Sequence, residues 1–75
     1  LKNKAIITYS AAIFDVKKYA KGRLDRYFSE DTGEIRAKLV ENDGFNYWLV
    51  EFIDETATVS FLVDAKTGEV INELR

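Results

Sequence analysis

The most constraining feature of this sequence is a pair of hairpin turns that predict the same sheet. Residues 42–45 read Asn-Asp-Gly-Phe, and Asp-Gly is typical of a two-residue type I′ turn. A second two-residue loop fits at residues 55–56, between two runs of alternating apolar and polar residues. With both loops in place, the large apolar residues of three strands share one face: Ile35, Leu39, Trp48, Val50, Phe52, Val59, Phe61 and Val63. A shift of one residue in either hairpin would divide this set between the two faces, so the turns support each other.

The alternation of apolar and polar residues predicts four antiparallel strands. They extend over about residues 34–42, 45–54, 57–64 and 69–74. We expect Val70 and Leu74 to continue the apolar face on the fourth strand.

One long helix, over about residues 5–28, is predicted to cover this face. No Pro interrupts the segment, and its apolar residues recur at steps of three and four: Ile6, Tyr9, Ile13, Val16, Ala20, Leu24 and Tyr27. Gly22 weakens such a helix by about 1 kcal/mol relative to Ala. An extended start with Ser10 as the N-cap is the alternative. The predicted fold is therefore α+β: a single domain over residues 1–75, with one helix on a four-stranded antiparallel meander in two layers.

The chain contains no Cys, His or Met. It therefore has no disulfide and no metal site built on thiolate or imidazole, and neither Cys nor His can act as a catalytic group. We expect no metal and no cofactor. The absence of Met leads us to expect a domain cut from a longer or processed protein, whose signal peptide or lipid anchor would lie upstream of Leu1. No apolar run approaches the roughly 20 residues that a membrane helix needs.

Charge is distributed unevenly along the chain. Residues 1–28 hold seven of the eleven Lys and Arg residues, whereas residues 29–75 hold eleven of the thirteen Asp and Glu residues. One interpretation is a basic helix packed on an acidic sheet. The alternative is a basic helix that faces an anionic membrane or cell wall. An acidic sheet argues against the stacking of bases, so no nucleic-acid partner is predicted.

The stretch LVDAKTGEVI, residues 62–71, is the part of the chain that most resembles a chemical site. Its Lys-Thr-Gly triplet matches that of serine β-lactamases, but no Ser in the chain has a Lys three residues later, as their nucleophile motif requires. The stretch instead favours a structural turn. Asp64 is expected to cap the turn with its side chain, Thr67 to lie at the exposed tip, and Gly68 to supply a positive φ. No catalytic residue is predicted, and adjacent carboxylates are interpreted as solvated turn formers.

The predicted register also defines the opposite, outer face of the sheet. Five apolar residues form a contiguous strip there, which we call the outer strip: Val40, Tyr47, Leu49, Leu62 and Ile71. A sheet face open to water is expected to be polar. The outer strip is therefore either ordinary apolar surface or a docking surface for a partner, a second copy or the rest of the parent chain.

The second half of the chain resembles the PepSY domain. The likeness is carried by residues 47–52 (YWLVEF), a short hairpin, and residues 63–71 (VDAKTGEVI). In that family a Tyr-x-Val-x-hydrophobic strand, a turn and a second strand lead to the pattern Val-Asp-x-x-Thr-Gly-x-Val. An amphipathic helix precedes these strands, as residues 11–27 would here, although Ala-Ala-Ile at 11–13 replaces the family's acidic start.

The resemblance implies a non-catalytic, extracytoplasmic module. PepSY domains occur in propeptides of thermolysin-like metalloproteases and in bacterial envelope proteins, where they are thought to inhibit or regulate peptidases. The expected partner is therefore a peptidase or a domain of the parent chain. Because Asp-x-x-Thr-Gly also closes hairpins in cystatin-like and NTF2-like domains, the alternative is a structural or assembly module that dimerises through the outer face.

Overall fold

The computed structural model describes residues 6–26, 28–29, 31–55 and 57–74. Its elements in chain order are helix α1 (Tyr9–Tyr19), a 3₁₀ turn (Leu24–Arg26), and strands β1 (Glu34–Asn42), β2 (Phe45–Ile53), β3 (Thr58–Asp64) and β4 (Val70–Leu74). The four strands form one antiparallel sheet in the order β1-β2-β3-β4. The predicted α+β class, one helix followed by a four-stranded antiparallel sheet, is confirmed.

The two hairpin turns have the registers that their sequences predict. Asp43 and Gly44 form the first loop with φ values of 54° and 81°, the two positive values that a type I′ turn requires. Thr56, in the second loop, lies outside the described residues, but that loop is closed where the Asp54 amide donates to Ala57 O at 2.8 Å. Every predicted pairing across both hairpins is present, from Ile35 opposite Phe52 to Trp48 opposite Val63.

The helix is shorter than predicted, because both of its ends are set by local chemistry. Thr8, and not Ser10, is the N-cap: its side chain accepts a hydrogen bond from Ala11 N at 3.1 Å. Beyond Ala20, Gly22 has a φ of 85°, in the left-handed region, where an α-helix cannot continue. The prediction of a helix over residues 5–28 is wrong in length for this reason; residues 5 and 27 lie outside the described residues.

The core lies between α1, the turn that follows it, and one face of the sheet. Its buried residues are Ala12, Val16, Ala20, Leu24, Val50, Phe52, Val59, Phe61 and Val63. Of the predicted helical stripe, Val16, Ala20 and Leu24 are buried and Ile13 is half-buried, whereas Ile6 and Tyr9 are exposed. The ring of Tyr9 lies edge-to-face with that of Trp48, with the ring centres 6.5 Å apart. Most of the burial is therefore against β2 and β3, and β1 is less completely covered.

Strand β4 carries a register shift that reverses the faces of its last residues. Val70 packs against the core, but the shift leaves Ile71 without an opposite residue, so Glu73 is the next to return to that face. There Glu73 accepts a hydrogen bond from Arg23 Nη1 at 2.8 Å. Leu74 is 49% exposed, and the prediction that it continues the core face is wrong, because a bulge moves every later side chain to the opposite face.

Candidate interaction surface

The outer strip occupies neighbouring strands on the sheet face away from α1. Val40 lies opposite Tyr47, and Leu49 lies opposite Leu62. Ile71, the extra residue of the bulge, lies between β4 residues that pair with Val63 and Leu62. Four of the five residues are half-buried by their neighbours in the sheet, and Ile71 is 49% exposed.

Two further apolar residues extend this surface beyond the outer strip. Phe45 is 63% exposed and, two residues before Tyr47, has the same face parity. Leu74 pairs with Ser60 and is 49% exposed. The register set by Asp-Gly places Phe45 on the outer face, so Phe45 could have been predicted from the sequence. No sequence signal places Leu74 there, because its face depends on the bulge.

Charged side chains border the apolar residues. Lys38 lies opposite Leu49, and Asp64 lies opposite Tyr47. Next to them on β1, Arg36 Nε donates to Glu34 Oε2 at 3.0 Å, and this bond is the main reason that the pKa of Arg36 is raised above its ordinary value. An apolar centre with a polar border is the usual composition of a protein-binding surface.

The turn between β3 and β4 is held by the Asp64 side chain. Asp64 Oδ1 accepts hydrogen bonds from the amides of Lys66 (2.7 Å) and Thr67 (3.1 Å). Gly68 follows with a φ of 82°, and its amide donates to Asp64 O at 2.8 Å. Lys66 and Thr67 are exposed. The carboxylate thus serves the backbone of its own turn, in the manner of an Asx-turn.

The same turn anchors the segment that leads into α1. Ala65 is fully buried; its carbonyl accepts from Ile7 N at 2.7 Å and its amide donates to Asn46 O at 3.1 Å. On the helix, the Asp15 carboxylate lies where a Cβ on Gly68 would be. Residues 64–68 thus contact the backbone of their own turn, the neighbouring strand and the helical side of the fold, as expected of a structural turn.

A recess of about 290 Å³ lies below the end of the helix. It is lined by Lys17, Ala20, Lys21, Gly22, Leu24, Phe28 and Phe52. Its lining combines apolar side chains with those of two lysines. Within the described part of the chain, no three Asp or Glu side chains come together as a metal site would require.

Two basic residues near the end of α1 contact other side chains. Lys18 Nζ lies 5.1 Å from the centre of the Phe14 ring, and Arg23 bonds to Glu73 across the gap between helix and sheet. The second contact joins the basic segment to the acidic one. Among the described residues, no helix has the length and apolar character to cross a membrane.

A family model described as peptidase propeptide and YPEB domain, PepSY, matches residues 7–74. No curated protein and no solved structure matches the chain.

Proposed function

The chain belongs to the PepSY family, and from this premise we propose that it is a non-catalytic, extracytoplasmic module that regulates a peptidase by binding it through the outer strip. The family supports the class of activity: PepSY domains are associated with peptidases, are generally non-catalytic and are generally extracytoplasmic. The family does not identify the surface. The outer strip is proposed as that surface because of its position and its apolar composition on the sheet.

The observation that carries the proposal is the apolar composition of a sheet face that nothing in the described chain covers. The helix packs on the other face, and the outer face nevertheless carries Tyr47, Leu49 and Leu62 at its centre. Apolar groups on a solvent-facing sheet contribute little to folding, whereas they contribute strongly to association when a partner removes them from water.

The rigidity of this face favours binding. The outer strip residues of β1, β2 and β3 are carried by strands paired on at least one side, so little backbone entropy remains to be lost when a partner docks. Tyr47 belongs to one of the three residue types, with Trp and Arg, that are enriched among the dominant contributors to binding energy. We expect it to be the largest single contributor.

The test is titration of the chain into a thermolysin-like metalloprotease or another cell-envelope peptidase, with inhibition and binding both measured. We expect the chain to bind, and the Leu49→Lys/Leu62→Lys variant to bind at least about 100-fold more weakly, because two charges would be buried at the interface. Phe14→Lys is the matched control, since it replaces another exposed apolar residue (58%) on the helix.

If the unmodified chain neither inhibits nor binds the peptidase, the proposal that it regulates a peptidase is wrong. If Phe14→Lys and the double variant lose binding equally, the outer strip is not the binding surface. Circular dichroism of each variant establishes that the sheet is intact, which the outward position of both leucines predicts.

A second candidate is an assembly module of the cystatin-like or NTF2-like kind that dimerises through the outer strip. The same apolar face supports it, because a two-fold dimer buries the same surface patch on both copies. Light scattering separates the candidates. A tight homodimer that Leu49→Lys/Leu62→Lys dissociates favours the assembly module, and a monomer that binds a peptidase favours the regulator.

A further inference from the structure

The two edges of the sheet differ in how open they are to another strand. Strand β4 is five residues long and bulged, two devices that discourage pairing at an edge. Strand β1 is nine residues long, contains no Pro, and pairs with β2 without a shift. Within the described residues no strand lies beyond β1. Its outer side is therefore the more regular of the two edges.

The geometry of the first turn determines which backbone groups β1 presents at that edge. In a two-residue hairpin the residues that flank the loop, here Asn42 and Phe45, form a hydrogen-bonded pair. Alternation then directs the amides of Arg36 and Lys38 toward β2. The N–H and C=O groups of Ile35, Ala37 and Leu39 point the other way, to the open edge.

The side chains along β1 define the chemistry of a segment that could pair there. On the core face, Ile35 and Ala37 are half-buried, and Leu39 is 45% exposed because the helix covers mainly β2 and β3. On the outer face, Arg36 and Lys38 are exposed. A neighbouring strand with apolar residues on one side and acidic residues on the other would cover Leu39 and lie against both cations.

A second copy of the chain meets this requirement poorly. Antiparallel pairing of two β1 strands along their whole length sets Lys38 opposite Lys38, with Arg36 diagonal to it on each side. Like charges directly opposite one another destabilise a strand pair. Lys38 thus disfavours self-pairing in this register and favours an acidic residue opposite it, whereas Arg36 already pairs with Glu34 on the same face.

We propose that the open edge of β1 binds an extended segment of a partner protein as a fifth strand, and that this segment alternates apolar and acidic residues. The main-chain bonds of Ile35, Ala37 and Leu39 would supply the affinity, and the cations Arg36 and Lys38 the selectivity. Arg36 and Lys38 also border the outer strip, but the main-chain groups at the edge are not part of it, so protection of the edge amides tests this inference independently of the proposed function.

The probe is a ten-residue synthetic peptide of alternating Val and Glu, added to the 75-residue chain and followed by amide hydrogen exchange. We expect exchange of the Ile35, Ala37 and Leu39 amides to slow at least about tenfold. The Arg36 and Lys38 amides, already bonded to β2, are the internal control and should change little. A peptide of the same composition with its Val and Glu residues in two blocks is the control ligand.

Charge reversal tests the selectivity. The variant Arg36→Glu/Lys38→Glu should bind the Val-Glu peptide at least about tenfold more weakly and should gain binding to a Val-Lys peptide. The inference is overturned if the block peptide protects the same amides equally, if the Val-Glu peptide binds without protecting them, or if it does not bind at millimolar concentration. Edge protection that depends on the concentration of the chain alone would also overturn it, because the occupant would then be a second copy.

Discussion

The first and last hairpins of this sheet show two ways in which a chain can turn back on itself. The β1–β2 turn is two residues long, and a Cβ on Gly44 would meet nothing within 4 Å. The β3–β4 turn is longer, is tied by Asp64, and lies against Ile7 and Asp15 of the helical side of the fold. At Gly44 the first turn is constrained by its backbone conformation, with no neighbouring atom to limit a side chain. The second depends on the rest of the molecule as well, and β4 absorbs one extra residue to fit.

Deletion of a single residue should expose this difference most strongly. Removal of Val40 shifts the start of β1 by one position, which turns Arg36 and Lys38 toward the core and Ile35 and Ala37 toward solvent. We expect a loss of at least about 3 kcal/mol in the free energy of unfolding, measured with urea, out of a total of roughly 5 kcal/mol. A stability close to that of the unmodified chain would mean that the register of the first hairpin is not fixed.

Substitution of the turn glycines gives the next largest effect. Gly68→Val combines a positive φ with a Cβ that must displace the Asp15 carboxylate, so we expect a loss of about 2–3 kcal/mol. Gly44→Val meets the strain alone and should lose about 1 kcal/mol less. Thermal unfolding of both variants, repeated in an Asp15→Ala background, measures the steric part. Equal losses at the two glycines would contradict the claim that the helix supports only the second turn.

Removal of the Asp64 carboxylate should have a smaller effect. Asp64→Ala leaves the amides of Lys66 and Thr67 without their acceptor, for an expected loss of about 1 kcal/mol. Asp64→Asn keeps an acceptor oxygen and should recover most of that loss. If the Asn variant is as unstable as the Ala variant, charge rather than hydrogen bonding holds the turn.

Deletion of Ile71 should change the least. It removes the residue that has no opposite partner, so the pairing of Leu62 with Asn72 and of Phe61 with Glu73 can persist in a regular ladder. We expect a change within about 1 kcal/mol and retention of the contact between Arg23 and Glu73. A loss of stability comparable to that of the Val40 deletion would mean that the bulge itself is required.

Lys66→Ala, at the exposed tip of the turn, serves as the neutral reference and should leave stability unchanged.

The same contrast explains how much of the fold the sequence predicts. A two-residue loop fixes the register of its hairpin, so the pairings of β1 with β2 and of β2 with β3 follow from the sequence of the two loops. The loop at residues 65–68 does not determine a register in this way, and the bulge that moves Leu74 to the outer face accompanies a contact with Arg23, 50 residues away. The end of the helix does not follow from the sequence for a related reason: helix propensity treats Gly22 only as a weak helix former, whereas its positive φ ends the helix.

The residues of the candidate surface also differ in whether local turns or tertiary contacts determine their position. Four residues of the outer strip follow from the local registers, and Phe45 could have been added from them. Leu74 could not, since its face is set by tertiary structure. The predicted meander already places β1 at an edge, but it does not show that the helix leaves Leu39 on that strand exposed.

The only Trp in the chain makes the docking of the segment before the helix visible by fluorescence. Trp48 Nε1 donates to Ile7 O at 2.9 Å, on the inner face of the sheet. Detachment of residues 6–8 would expose the indole to water and shift its emission to longer wavelengths, even with the sheet intact. A partner bound to the outer strip would leave that emission unchanged. One spectrum therefore distinguishes release of the helix's anchor from binding on the other side of the sheet.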